Sequence, residues 1–170
     1  MKNAEGPELM SAGSTDGAPR IVVGVDGSPT SRAALRWAVR QAKFTGGIVD
    51  AVVAWEIPMV LQSYGWAPIY VEEAGDFEAD ARKLLDTVIG EEVGSADSER
   101  VRSLVVNGHP AEALIDAADG ADLLVVGSRG HGSFAEALLG SVSQHCVHHA
   151  PCPVLIVRGE PDRPRVLTRS

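Results

Sequence analysis

The chain has 170 residues, 45% hydrophobic and 22% charged, which suits one globular domain able to bury roughly two thirds of its unfolded surface around a single core. Its formal charge of -8 argues against a nucleic-acid partner, because such affinity rests on clustered lysine and arginine. No run approaches the roughly 18 apolar residues of a membrane span, so no membrane partner is expected.

Residues 1–19, rich in Gly, Ser, Ala and acidic side chains, have no periodicity and no apolar core of signal-peptide length; they are expected to be a disordered leader. From Arg20 the pattern changes. IVVGVD (21–26) is a short, nearly unbroken apolar run, as expected of a strand buried on both faces of a parallel sheet. A helix follows, with Ser28 as N-cap, Pro29 in the first turn and Leu35, Ala38, Val39 and Ala42 on one face. IVDAVVAW (48–55) is the second strand. Residues 56–75 then form a long insertion with two prolines and several aromatics, which is expected either to cover a ligand or to contact a partner.

The spacing next predicts a helix over DFEADARKLLDTVIGEEV (76–93), with Phe77, Ala81, Leu84, Leu85 and Val88 on one stripe. VRSLVV (101–106) is the third strand, and PAEALIDAAD (110–119) is a helix begun by Pro110 that buries Ala113, Leu114 and Ala117. DLLVVG (122–127) and PVLIV (153–157) are the last two strands. Strands alternating with helices throughout mean right-handed βαβ crossovers and a parallel sheet covered on both sides, an α/β fold. Residues 159–170, where Arg163, Arg165 and Arg169 follow Arg158, read as a flexible, solvated tail.

Between the fourth strand and the last lies GSRGHGSFAEALLGS (127–141), in which three glycines surround a helix-like FAEALL. Glycine costs about 0.5–1 kcal/mol relative to alanine in a helix, so three of them point to special backbone geometry or close approach. In an open parallel sheet the ligand crevice lies past the carboxyl ends of the strands, where strand order reverses. A glycine-rich turn feeding a helix start offers amide donors and the positive end of a helix dipole to a phosphate. Gly140 is too far along an unbroken helix from Gly130 to share one anion with it, so the helix is expected to start near Gly140. FAEALL then folds as a short turn or loop, with Ser141 as N-cap and Val142 and Ser143 in the first turn beside the ligand. The alternative is structural. Gly127 and Gly130 then serve only as turn glycines at positive φ, Asp26 only caps the first helix, and Trp37 and Trp55 belong to the core or the pocket wall.

The spacing Gly127, Gly130, Gly140, Ser141 is the G-x2-G-x9-G-(S/T) signature of the universal stress protein family, which this chain resembles from about Arg20 to Arg158. GVDGS (24–28), the pair Ala54 and Trp55, and HAPCPVLIVR (149–158) extend the likeness. The resemblance implies a nucleotide-binding domain over 20–158 with sheet order 3-2-1-4-5, a Rossmann-like architecture, and a homodimer formed through the last strand. It implies ATP as ligand, with Mg2+ reached through the nucleotide by Asp26, which would lie near the ribose or the metal-phosphate group. Backbone at Ala54 or Trp55 would meet the adenine edge. Gly127, Gly130, Gly140 and Ser141 would hold ribose and phosphates, with Arg129 and His131 above them and Gly24 and Val25 as the pocket floor. The function implied is a nucleotide-dependent stress-response regulator acting on an unknown protein partner. The alternatives are a slow ATPase, or a scaffolding dimer that holds AMP or a cyclic nucleotide.

Two further readings remain. Cys146 and Cys152 are the only cysteines, without CxxC spacing, so reduced thiols and a cytoplasmic location are expected. With His145, His148 and His149 they form a cluster in which His145 and His149 are at i, i+4, a spacing that can share zinc. Against zinc stand the absence of HExxH and CxxC and the usual preference of histidines for helix C-termini. The loops of acyl transfer, P-loop hydrolysis and hydride transfer, GxSxG, GxxxxGK[ST] and GxGxxG, do not occur, so binding is expected rather than turnover.

Overall fold

The computed structural model describes residues 17–56, 71–130 and 139–159, with the side chains of 71–76 left aside. Residues 1–16 of the expected 1–19 leader, most of the 56–75 insertion, residues 131–138 with His131 and all of FAEALL but Leu139, and the tail from 160 onward lie outside the described residues. Five strands are seen: β1 (Arg20–Gly24), β2 (Ile48–Trp55), β3 (Val101–Asn107), β4 (Leu123–Gly127) and β5 (Val154–Val157). They form one parallel sheet in the order β3-β2-β1-β4-β5. Among the described residues four α-helices connect them: α1 (Pro29–Thr45), α2 (Val71–Glu92), α3 (Pro110–Ala117) and α4 (Ser141–His149).

Each strand alternates its side chains between two apolar layers, as a sheet with helices on both faces requires. Ile21, Val23, Val49, Ala51, Val53 and Val125 meet Ala34, Leu35 and Ala38 of α1 and Ala81, Leu85 and Val88 of α2. Val22, Val52, Leu124 and Val126 meet Leu114 and Ala118 beside α3 and Cys146 of α4. The helices start and stop where their chemistry directs. Ser28 caps α1 by accepting from the Ser31 N–H at 3.2 Å, Pro29 opens its first turn, and Gly46 closes it with φ 71°. Helix α2 begins at Val71, five residues before the periodicity predicts, because Glu72, Glu73 and Ala74 are good helix formers that supply no apolar stripe.

One carboxylate is buried in this apolar frame. Asp50, only 1% exposed, lies in the middle of β2 beside Val22 and Arg102 on the neighbouring strands. Arg102 reaches it through Nε at 2.6 Å and a second nitrogen at 2.9 Å, and Arg20 at 3.0 Å. This pairing raises the pKa of the Arg102 guanidinium, chiefly through its hydrogen bonds to Asp50. Arg20 also donates to the carbonyls of Ala117 and Asp119, tying the end of α3 to the start of β1. The triad thus pins three strands and a helix at the amino end of the sheet. Asp50→Ala is expected to lower the unfolding free energy by about 2–4 kcal/mol, since it strands two guanidinium groups that are themselves only partly buried. Urea denaturation reads this directly, and a loss below 0.5 kcal/mol would contradict it.

Candidate nucleotide-sized cleft

The strand order reverses between β1 and β4, so the chain leaves their carboxyl ends in opposite directions and opens a crevice. A cavity of about 640 Å³ occupies it, within the ~300–1,000 Å³ of small-molecule sites. Gly24, Val25 and Asp26 enter it from β1, Ala54 from β2, and Gly127, Arg129 and Gly130 from the loop after β4. Gly140, Ser141, Val142 and Ser143 line it from the start of α4. Among the described residues singled out in the sequence, Trp55 does not line it: it packs against the α1 and α2 side of the sheet, and its carbonyl accepts from the Gly108 N–H at 2.9 Å. His131 lies outside the described residues.

The three glycines of the motif differ in what surrounds them. None has positive φ, so turn geometry does not explain Gly127 or Gly130. A β-carbon at Gly127 would stand 2.6 Å from the Thr30 hydroxyl and 2.9 Å from the Ser31 nitrogen, so residue 127 is small because the first turn of α1 rests on it. A β-carbon at Gly130 would stand 2.4 Å from Oδ2 of Asp26. Around Gly140 the nearest atoms, Arg129 Cα and Gly130 N, would be 3.5 and 3.7 Å away, an ordinary packing distance. Its φ of -72° is open to any residue. Main chain of α1 therefore excludes a side chain at 127, the Asp26 carboxylate opposes one at 130, and no contact among the described residues excludes one at 140.

Hydrogen bonds bring the two ends of the motif together. Gly140 donates its N–H to the Ser128 carbonyl at 2.8 Å, and Ser143 donates its hydroxyl to the Gly127 carbonyl at 2.9 Å. Ser128, buried, donates its own N–H to the Val157 carbonyl of β5 at 2.8 Å. On the β1 side the Asp26 carboxylate accepts from the Ser28 N–H at 2.9 Å, and the Ser31 hydroxyl accepts from the Asp26 N–H at 3.3 Å.

The N-cap of α4 is Gly140, not Ser141 as the sequence predicts. Ser141 is the first helical residue instead, because Gly140 is already held in extended geometry by its bond to Ser128. A glycine cap has no side chain to satisfy first-turn amides, so α4 presents its amino end to the cavity without a side-chain cap. Ser143 is likewise engaged with the loop carbonyls, where it sets the approach of α4.

Sequence reading missed several lining residues: Ser31 and Leu84, and Val52, Leu114 and Leu139 among the apolar wall. Their signals pointed elsewhere, since each reads as part of a cap, a stripe or a strand core. Away from the cleft, His145 and His149 lie with ring centroids 4.4 Å apart on the exposed side of α4, while Cys146 faces the core. Burial pushes the Cys146 thiol up to about 11, which keeps its proton on at neutral pH. Cys152 is also raised, mainly by burial, and both are free thiols. Among the described residues no group of three or more His, Cys, Asp or Glu is arranged to hold a metal ion, and no helix is long and apolar enough to cross a membrane.

Comparison with known proteins gives a consistent picture. A profile described as the universal stress protein family matches residues 18–158. A universal stress protein of Mycolicibacterium smegmatis is 34% identical over 147 residues, covering 82% of this chain and 48% of that protein. One of Thermus aquaticus is 36% identical over 142 residues, covering 81% of this chain and 97% of its own length. The chain spans about half the length of the mycobacterial relatives it matches. Among solved structures, the hypothetical protein MJ0577 superposes with a TM-score of 0.69 at 22% identity, over 84% of this chain and 97% of that one. A universal stress protein in complex with cAMP superposes with a TM-score of 0.53 at 29% identity, over 84% of this chain and 98% of that one.

The contacts of the three glycines predict unequal responses to a methyl group. Gly130→Ala is expected to destabilise by about 1–3 kcal/mol, and the penalty shrinks when Asp26→Ala removes the opposing carboxylate. Gly127→Ala meets main chain and is not rescued by that truncation. Gly140→Ala changes stability by about 1 kcal/mol or less, the difference between glycine and alanine at an N-cap. Equal losses at all three positions in urea unfolding would contradict these contacts.

Proposed function

Since the chain belongs to the universal stress protein family, we propose that it binds an adenine nucleotide, ATP with Mg2+, and acts as a nucleotide-dependent stress-response regulator in the cytoplasm. One observation carries this reading: among the described residues nothing packs closely enough on Gly140 to require glycine, nor does its φ, yet it caps a helix whose amino end lines a cavity of nucleotide size. Absence of a side chain there leaves room for an anion to approach the first-turn amides of Ser141, Val142 and Ser143. Gly127, Gly130 and Arg129 would border the phosphates and ribose with them.

The lining chemistry fits the remainder of such a ligand. Asp26 is the carboxylate among the described lining residues, suited to a ribose hydroxyl or to nucleotide-bound Mg2+, whose charge would offset that of the phosphates. Ala54, Val52, Val53 and Leu84 offer apolar surface and strand backbone to a purine. His131 is proposed to lie over the phosphates, and Trp55 to act through its backbone neighbour Ala54. The cAMP complex of a related protein supports a cyclic nucleotide as the competing ligand.

Regulation requires that the nucleotide bind two states unequally. Strand β5 supports a route, because it is the sheet edge and its Val157 carbonyl accepts from Ser128 of the loop that borders the cavity. An edge of Val-Leu-Ile-Val invites pairing with a second copy of the chain, and we propose a homodimer through it, with an effector protein as further partner.

Isothermal titration of the full chain with ATP in Mg2+ buffer is expected to give saturable one-to-one binding, weakened roughly tenfold or more by Gly140→Ala. No heat at millimolar ATP would remove the reading, and tighter binding of cAMP would replace ATP as the ligand. Sedimentation at micromolar concentration is expected to show a dimer; a monomer would remove the proposed pairing through β5.

A further inference from the structure

We propose that Thr30, with Ser28 behind it, is a positioning residue for the nucleotide site: its hydroxyl latches the Arg129 carbonyl onto α1 and so aims the Arg129–Gly130 peptide at the cavity. This inference rests on the nucleotide reading above and adds a residue to it.

Thr30 is the second residue of α1, yet its hydroxyl takes no part in capping the helix. That role falls to Ser28, which accepts from Ser31 N–H. The Thr30 hydroxyl instead donates to the carbonyl of Arg129, 99 residues away, and the Ser28 hydroxyl approaches the same oxygen at 3.5 Å. The two hydroxyls are themselves 3.4 Å apart. Both sit on the first turn of a 17-residue helix, so the carbonyl is held by a rigid element.

The peptide plane makes this hold consequential. In a trans peptide the C=O of Arg129 and the N–H of Gly130 point in opposite directions. With the carbonyl turned to α1, the Gly130 nitrogen lies on the other side, 3.7 Å from where a β-carbon of Gly140 would stand, beside the amino end of α4. Rotating this plane would turn an acceptor oxygen toward the place where an anion must sit. Thr30 opposes that rotation. Gly127, which packs against the Thr30 hydroxyl and backbone, keeps the loop close enough for the bond to form.

The test compares Thr30→Val, which has the same shape without the hydroxyl, Thr30→Ala, which removes any crowding by the new methyl, and Thr30→Ser, which restores the donor. ATP with Mg2+ is titrated calorimetrically, thermal midpoints are recorded, and amide exchange at Ser128 to Gly130 is followed by NMR without ligand. Thr30→Val and Thr30→Ala are expected to weaken ATP binding roughly five- to tenfold, the worth of one hydrogen bond. They should speed exchange at Gly130 while the thermal midpoint stays within about 3 °C, and Thr30→Ser should recover both affinity and exchange. Unchanged affinity and exchange in Thr30→Val and Thr30→Ala would overturn the proposal, as would failure of Thr30→Ser to rescue. If the unaltered chain gives no heat with ATP, the nucleotide reading falls, and unchanged exchange at Gly130 then overturns the latch independently.

Discussion

The carboxylate of Asp26 stands 2.4 Å from where a β-carbon of residue 130 would lie, and much of the cleft follows from that exclusion. Because residue 130 has no side chain, the loop after β4 can approach the turn after β1 closely enough for α1 hydroxyls to reach the Arg129 carbonyl. That approach in turn sets Ser128 between Val157 of the edge strand and Gly140 of α4. Four elements from distant parts of the chain thereby share one short loop. A methyl group at residue 130 would have to displace the Asp26 carboxylate.

The opposite end of the sheet is held in another way. There Asp50 binds Arg20 and Arg102 across three strands, and Arg20 extends the hold to carbonyls after α3. A buried ion triad gains little over apolar packing in net stability, but it has one geometry and so fixes strand register, which two apolar layers alone specify less sharply. At the carboxyl ends of the strands the loop after β4 is tied by main-chain and hydroxyl hydrogen bonds. Close packing at Gly127 and Gly130 adds to these bonds, and a cavity lies where a fully packed fold would have side chains.

The brace between α1 and α2 is of a lesser kind. Arg32 and Arg36 meet Glu91 and Glu92 near the surface, where such pairs contribute little. Arg32 also donates through Nε to the Gly27 carbonyl at 3.2 Å, linking α2 to the turn that carries Asp26. The same helix α2 supplies Leu84 to the cavity wall. The helix that carries Leu84 and the turn that carries Asp26 are thus joined through one arginine.

The alternation of short Val and Ile runs with amphipathic stretches was enough to read the five strands, four helices, their parallel pairing and the two-sided burial, because each of these follows from local periodicity and crossover geometry. The glycine spacing was likewise legible, as was a helix starting near residue 140. Sequence did not reveal why Gly127 and Gly130 are glycine, since the reason is contact with α1 and Asp26, about 100 residues away. Nor did it reveal that Gly140 rather than Ser141 caps α4, that Asp50 has two arginine partners, or that Thr30 holds Arg129. In each case the deciding atom belongs to another element, and only the folded sheet, which sets β1 between β2 and β4 and β3 beside β2, brings them together.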